Sequence, residues 1–175
     1  MDITKMLQAT IRLDRAQLEG YDVMVGPTAR KMNTMMQLNI NLATWAKMLG
    51  WGDLRPVDHH VTADEKLNQG IRVLYWALLF SAQQQWTHLV VMDDERMNKI
   101  KAAKPVARVD DQAKLYLVMQ QFLASAYYNH RQSDFQHAYR LIWKVLWVDL
   151  GMRDEAITTA FENYIQVREQ QIPQD

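Results

Sequence analysis

The 175-residue sequence predicts an all-α fold, a helical bundle of about six helices forming one domain over residues 1–175. Three observations carry that expectation. Apolar residues recur at three- and four-residue intervals along most of the chain. Only six Gly and four Pro occur, enough to separate long helices and too few for the frequent turns of a β-sandwich. A hydrophobic content of 49% in a chain of ordinary domain length supplies a proper core.

The first helix is predicted from Ile3, Met6, Leu7 and Ile11, continuing through Asp14 to Leu18, with Gly20 standing where a C-terminal glycine would end it. Gly26-Pro27-Thr28 makes a break and an N-cap for a long second helix over 29–49. Its apolar positions are Met32, Met35, Met36, Leu42, Trp45, Ala46 and Leu49, and Gly50 stops it. Residues 51–61, with Gly52, Pro56 and a His pair, have no period and read as an ordered loop. Thr62-Ala63-Asp64-Glu65 is a capping-box pattern that opens a third helix to about Gln85, within which the run Val73 to Phe80 also admits a strand. Residues 86–104 have room for one more short helix, with Asp93-Asp94-Glu95 on its exposed side, before Pro105 interrupts. Asp110 and Asp111 are placed to cap a helix carrying Leu115, Val118, Met119, Phe122 and Ala126, which runs out in the polar stretch 129–132. Ser133-Asp134-Phe135-Gln136 is a second capping-box pattern, opening a helix with Phe135, Tyr139, Ile142 and Leu146 that Gly151 terminates. The last helix, Arg153 to about Gln170, turns Ile157, Phe161, Tyr164 and Val167 inward and leaves a frayed end over 172–175.

Charge and composition narrow the function classes. Twenty basic residues balance twenty acidic ones, so no general attraction to nucleic acid or to an anionic membrane is expected. With no cysteine, disulfides, thiolate metal sites and cysteine nucleophiles are excluded, which fits a cytoplasmic location. The opening residues lack the basic stretch and apolar core of a secretion signal, and the longest apolar run, Val73–Phe80, is far short of the roughly 20 residues that span a bilayer.

Three segments resemble the dimeric dUTPases, part of the all-α nucleoside triphosphate pyrophosphohydrolase superfamily that includes MazG-like enzymes. Leu7-Gln8-Ala9-Thr10-Ile11-Arg12-Leu13-Asp14 is similar to that family's LQxxLD opening. Leu38-Asn39-Ile40-Asn41-Leu42-Ala43-Thr44-Trp45, followed by Lys47 and Trp51, is similar to its ELxELA helix with a Lys and a Trp after it. Asn68-Gln69-Gly70-Ile71-Arg72-Val73-Leu74-Tyr75-Trp76-Ala77-Leu78 is similar to its EExxDxLHFxL helix, and residues 164–171 are a weaker echo of its closing basic, nucleotide-contacting segment. The resemblance implies a homodimer and hydrolysis between the α and β phosphates, with carboxylates on an ExxE and an ExxD helix holding Mg²⁺. Such spacing puts two hard oxygen ligands on one helical face.

Here the four matching positions are Leu38, Asn41, Gln69 and Arg72, none of them acidic. The absence does not depend on register, because no Asp or Glu occurs between Asp22 and Asp53, nor between Glu65 and Asp93. No catalytic residue and no metal ligand is therefore assigned. The expected function is that of a catalytically degenerate relative, acting as a binding or regulatory module for a nucleotide or protein ligand. Lys47 and Arg72 are the candidates for direct phosphate contact, since a guanidinium pairs with phosphate oxygens without a bridging metal. The alternatives are an active hydrolase whose Mg²⁺ is held by Asp64, Glu65, Asp93, Asp94 or a partner subunit, and an unrelated helical interaction protein.

Other clusters are weighed against packing. His130, Asp134 and His137 have a spacing that suits Zn²⁺ on one helical face, but a helix start between the first two would break that face. His59 and His60 fall in a loop, where adjacent histidines are usually solvated. The six Trp, with Trp143 and Trp147 on one helical side, suit core contacts better than a base-stacking platform, and the clustered Met32, Met35 and Met36 suit irregular helix contacts.

Overall fold

The computed structural model describes residues 1–22, 24–54 and 60–173. Among these the chain forms eight α-helices and no strand: α1 Ile3–Gly20, α2 Pro27–Met48, α3 Ala63–Gln83, α4 Thr87–Val90, α5 Asp94–Lys101, α6 Val109–Asn129, α7 Gln132–Lys144 and α8 Asp154–Gln170. A π-helical turn, Val145–Asp149, continues α7. The ambiguous run Val73–Phe80 is helical, in the middle of α3, and the segment expected to hold one short helix holds two, α4 and α5. No helix among the described residues is long and apolar enough to cross a membrane.

The organisation follows from α3. Leu67, Ile71, Val73, Leu74, Tyr75, Ala77, Leu78, Leu79 and Phe80 are all buried, so this helix is apolar around most of its circumference and has to lie inside. Helices α1, α2, α7 and α8 surround it, α1 packs on α8, and α6 and α7 form an outer hairpin. Thr62 starts α3 as the sequence predicts: its hydroxyl accepts from the Glu65 backbone N–H at 3.2 Å while Glu65 Oε2 accepts from the Thr62 N–H at 2.7 Å. The α2 helix ends in a Schellman motif, with Gly50 at φ +73° and the Trp51 N–H on the Ala46 carbonyl at 2.9 Å.

Several local expectations are corrected. Helix α2 begins two residues earlier than expected, with Gly26 as N-cap and Pro27 in the first turn, where its missing N–H costs nothing. Gly20 lies inside the last turn of α1; a Cβ there would run into Ile172, so it serves the close approach of the C-terminal segment. Ile11 and Val167 face solvent, and the buried stripes are Ile3, Met6, Leu7, Thr10 and Leu13 on α1 and Ile157, Phe161 and Ile165 on α8. Thr10 is tolerated in the core because its hydroxyl donates to the Met6 carbonyl at 2.9 Å. Met32 and Met36 are exposed while Met35 is buried, which leaves Met32, Met36 and Ile40 as an apolar line along the outside of α2. Asp110 and Asp111 sit in the first turn of α6, whose N-cap is Arg108. The Ser133 capping box does not form: α7 starts at Gln132, and Asp134 instead accepts from Ser125 Oγ at 2.5 Å, tying the two arms of the hairpin together. Trp143 and Trp147 stack at 4.6 Å between ring centroids, in the core as expected.

Candidate functional site

The α2–α3 pairing brings the matched positions together. Trp45 Nε1 donates to the Lys66 carbonyl at 2.8 Å, and Gln69 Nε2 donates to both the backbone oxygen and Oδ1 of Asn41, each at 3.0 Å. Rising numbers on one helix meet falling numbers on the other, so the pair is antiparallel. The Gln69 amide thus donates across the helix pair to Asn41, whose own amide nitrogen donates to the Gln37 carbonyl at 2.8 Å. Leu38 is fully buried, and Gly70 lets the Trp45 ring approach so closely that a Cβ would stand 2.7 Å from Trp45 Cζ2. This stretch of the α2–α3 interface is a packed seam.

Lys47 and Arg72 do not form a joint phosphate site. With Asn41 level with Gln69 and Trp45 level with Lys66, Lys47 lies about 12 Å along the bundle axis from Arg72 at the ~1.5 Å rise of a helix. Both are exposed, and Arg72 projects its charge on Tyr164 of α8, partly offsetting the rise that burial imposes on that phenol. Among the acids considered for a relocated metal, Glu65 is held by Thr62, whose backbone N–H and hydroxyl keep its carboxyl below the ordinary value. Asp93 caps α5 by accepting from the Arg96 N–H at 2.8 Å. His130 lies off the helix at φ +52°, Asp134 is taken by Ser125, and His137 stacks on Phe122 at 5.4 Å. Among the described residues, no group of three His, Asp or Glu could hold a metal ion. His59 lies outside the described residues, as do Arg55, Pro56, Val57 and Asp58 of the predicted loop.

A second locus was not visible in the sequence. Helices α1, α2, α3 and α8 border an open depression of about 290 Å³ whose lining includes Asp14, Arg30, Trp76, Gln83 and Arg168, with Leu18 and Val25 among its apolar residues. Arg30 Nη2 donates to Asp14 Oδ2 at 2.5 Å. Burial raises the Asp14 carboxyl above its ordinary value more than Arg30 lowers it. Two polar atoms of its lining residues, Gln83 Oε1 and Arg168 Nε, are buried out of reach of solvent and without a hydrogen-bond partner among the described residues. Behind it, the Tyr75 hydroxyl is equally orphaned, its phenol pushed up by burial and then by the neighbouring Tyr164 and Asp14. An unsatisfied buried polar group costs about 1–3 kcal/mol, so three in one neighbourhood call for an explanation. Of the larger concavities, those between α1 and α8 and along the α6–α7 hairpin have no residue with an orphaned buried polar atom in their walls, whereas a neighbouring one of about 320 Å³ shares Asp14, Arg30 and Gln83 with this depression.

Comparison with protein-family models, with curated proteins and with solved structures returns no match.

Proposed function

We propose that this chain is a non-hydrolytic binding or regulatory module built on a dUTPase-like helical scaffold. The observation that carries the reading is the Gln69–Asn41 amide pair, which fills the helix–helix seam at the positions the resemblance assigns to metal-binding carboxylates. Neutral amides offer a divalent cation no compensating charge, and here Asn41 Oδ1 is already taken by the Gln69 amide nitrogen. Two-metal activation of water needs hard anionic ligands fixed on facing helices. Self-association belongs to the same reading, supported by the exposed Met32, Met36 and Ile40 line on α2; a strict monomer at micromolar concentration in light scattering would count against it.

The test is direct. Purified protein incubated with dUTP, dCTP or other nucleoside triphosphates, with Mg²⁺ or Mn²⁺, is expected to leave them intact. Pyrophosphate release proportional to protein and dependent on metal would overturn the reading.

A further inference from the structure

Charge is missing from one side of this molecule. No Asp, Glu, Lys or Arg lies between Lys31 and Lys47 on α2, nor between Lys114 and Arg131 along α6. At the chain's average of 23% charged, residues 32–46 and 115–129 together would carry about seven charges. Such a run is ordinary in a buried helix, and α3 after Arg72 is one, but α2 and α6 both turn part of their surface outward. Met32, Met36 and Ile40 on α2, and Leu117 and Tyr128 on α6, are each 51% to 77% exposed, and Ala43, Thr44, Gln121 and Ala124 are open to solvent as well. The other outer helices show the usual pattern: Lys5, Arg12, Arg15 and Glu19 are exposed on α1, and Glu155, Glu162 and Glu169 on α8. Because α6 packs against α2, the two uncharged faces adjoin. Depletion of charge with enrichment in Met and Tyr is the composition of an interface core and not of a solvated face.

We infer that the α2–α6 face is the contact between two copies of this chain, each applying the same face to the other across a two-fold axis. Three observations select a second copy as the occupant. A face without charge is complementary to itself, whereas one that recognised a foreign protein by charge would carry a sign of its own. The chain has a formal net charge of zero, so two copies approach without long-range repulsion. The size also fits: fifteen residues on each of two adjacent helices outline a face of about 22 Å by 20 Å, and its side-chain relief brings the accessible surface to the order of 600 Å², the lower end of what a stable interface takes from each partner. The methionines let identical surfaces interdigitate, since their unbranched side chains adapt to irregular gaps. The inference rests on the self-association in the reading above and gives it a location. The two fail separately, because a dimer built on another face would leave self-association standing and remove this one.

Sedimentation equilibrium of the full chain and of single variants tests the assignment. The wild type is expected to dimerise at micromolar concentration, with a dissociation constant that stays level or falls as NaCl is raised to ~1 M, because an uncharged contact has nothing to screen. Met36→Glu and Leu117→Glu, one on each helix, should each weaken the dimer about tenfold or more by burying an unpaired carboxylate. Both should keep the helical circular-dichroism spectrum, since both replaced side chains are exposed. Val167→Glu, at an equally exposed apolar position on α8, should leave the dimer intact. A strict monomer would assign the face to a foreign protein or a lipid surface and overturn the proposal. So would a dimer that survives both glutamates, one that Val167→Glu disrupts equally, or one that dissociates as salt rises.

Discussion

Gly70→Ala sets helix propensity against packing at the α2–α3 seam, and the structure decides the sign. In an exposed helix interior the change would stabilise by about 1 kcal/mol, because glycine carries the larger entropy loss on folding. At residue 70 the new Cβ would stand 2.7 Å from Trp45 Cζ2 and 2.8 Å from Leu146 Cδ2. Trp45 cannot turn away cheaply: it is fully buried and its indole N–H is fixed on the Lys66 carbonyl at 2.8 Å. Leu146 is fully buried as well. Overpacking of a well-filled core costs about 1–3 kcal/mol, and two contacts this short put the cost near the upper end. The net effect is a loss of about 2 kcal/mol, a fall in melting temperature of about 4–8 °C for a chain of this length. Urea denaturation should show a lower midpoint with an unchanged slope. In a Trp45→Phe background, where the ring is smaller, the same substitution should cost clearly less, a non-additivity that identifies the contact. A Gly70→Ala variant as stable as the wild type or more so would refute the reasoning, and with it the claim that the seam is closed by close packing.

Two further perturbations probe the charged groups. Asp149 accepts from Lys144 Nζ at 2.9 and 3.0 Å and from the Val106 N–H at 2.8 Å, and both side chains of the pair are almost buried. Asp149→Ala should therefore cost about 3 kcal/mol by denaturant titration, since it strands a cation and a backbone donor together; a loss under 1 kcal/mol would show that water replaces the carboxylate. At Asp14 burial raises the carboxyl above 3.8 more strongly than Arg30 lowers it, so the fold favours the neutral acid. That stability is fully present below pH 3.8 and is lost as pH rises through the raised value. Asp14→Asn, always neutral, should be more stable than the wild type at pH 7, with the gap closing toward pH 3.8; a variant less stable at pH 7 would show that the Arg30 pairing dominates.

The helical fold was legible because its signals are local. The Thr62 capping box, the Gly50 stop and the continuous apolar run of α3 each state their structure within a few residues, and they form as read. The errors have two physical origins. Ser133 and Asp110 carry side chains suited to a cap but are engaged elsewhere: the Ser133 hydroxyl donates to Asp134, which also accepts from Ser125 of the facing helix, and Asp110 pairs with the adjacent Arg108 at 2.8 Å. Ile11 and Val167 keep helical period with their buried neighbours, yet each helix buries only the stripe that meets α3 or its partner, and period alone does not give the width of that stripe.

The two loci differ in legibility for a reason that also separates their chemistry. That α2, and α3 beyond Glu65, carry no carboxylate could be read from sequence in any register. The Gln69–Asn41 hydrogen bonds could not, because they join residues 28 apart on antiparallel helices. The depression is harder still. Asp14, Arg30, Trp76, Gln83 and Arg168 come from four helices with no shared motif, and a glutamine at the end of a long apolar helix reads as an ordinary helix end. What singles out Gln83 and Arg168 is that their burial goes uncompensated, a property that exists only once the helices are packed. The orphaned atoms of Gln83 and Arg168 therefore mark strain in the packing at the far end of α3, about 21 Å along the helix from the seam.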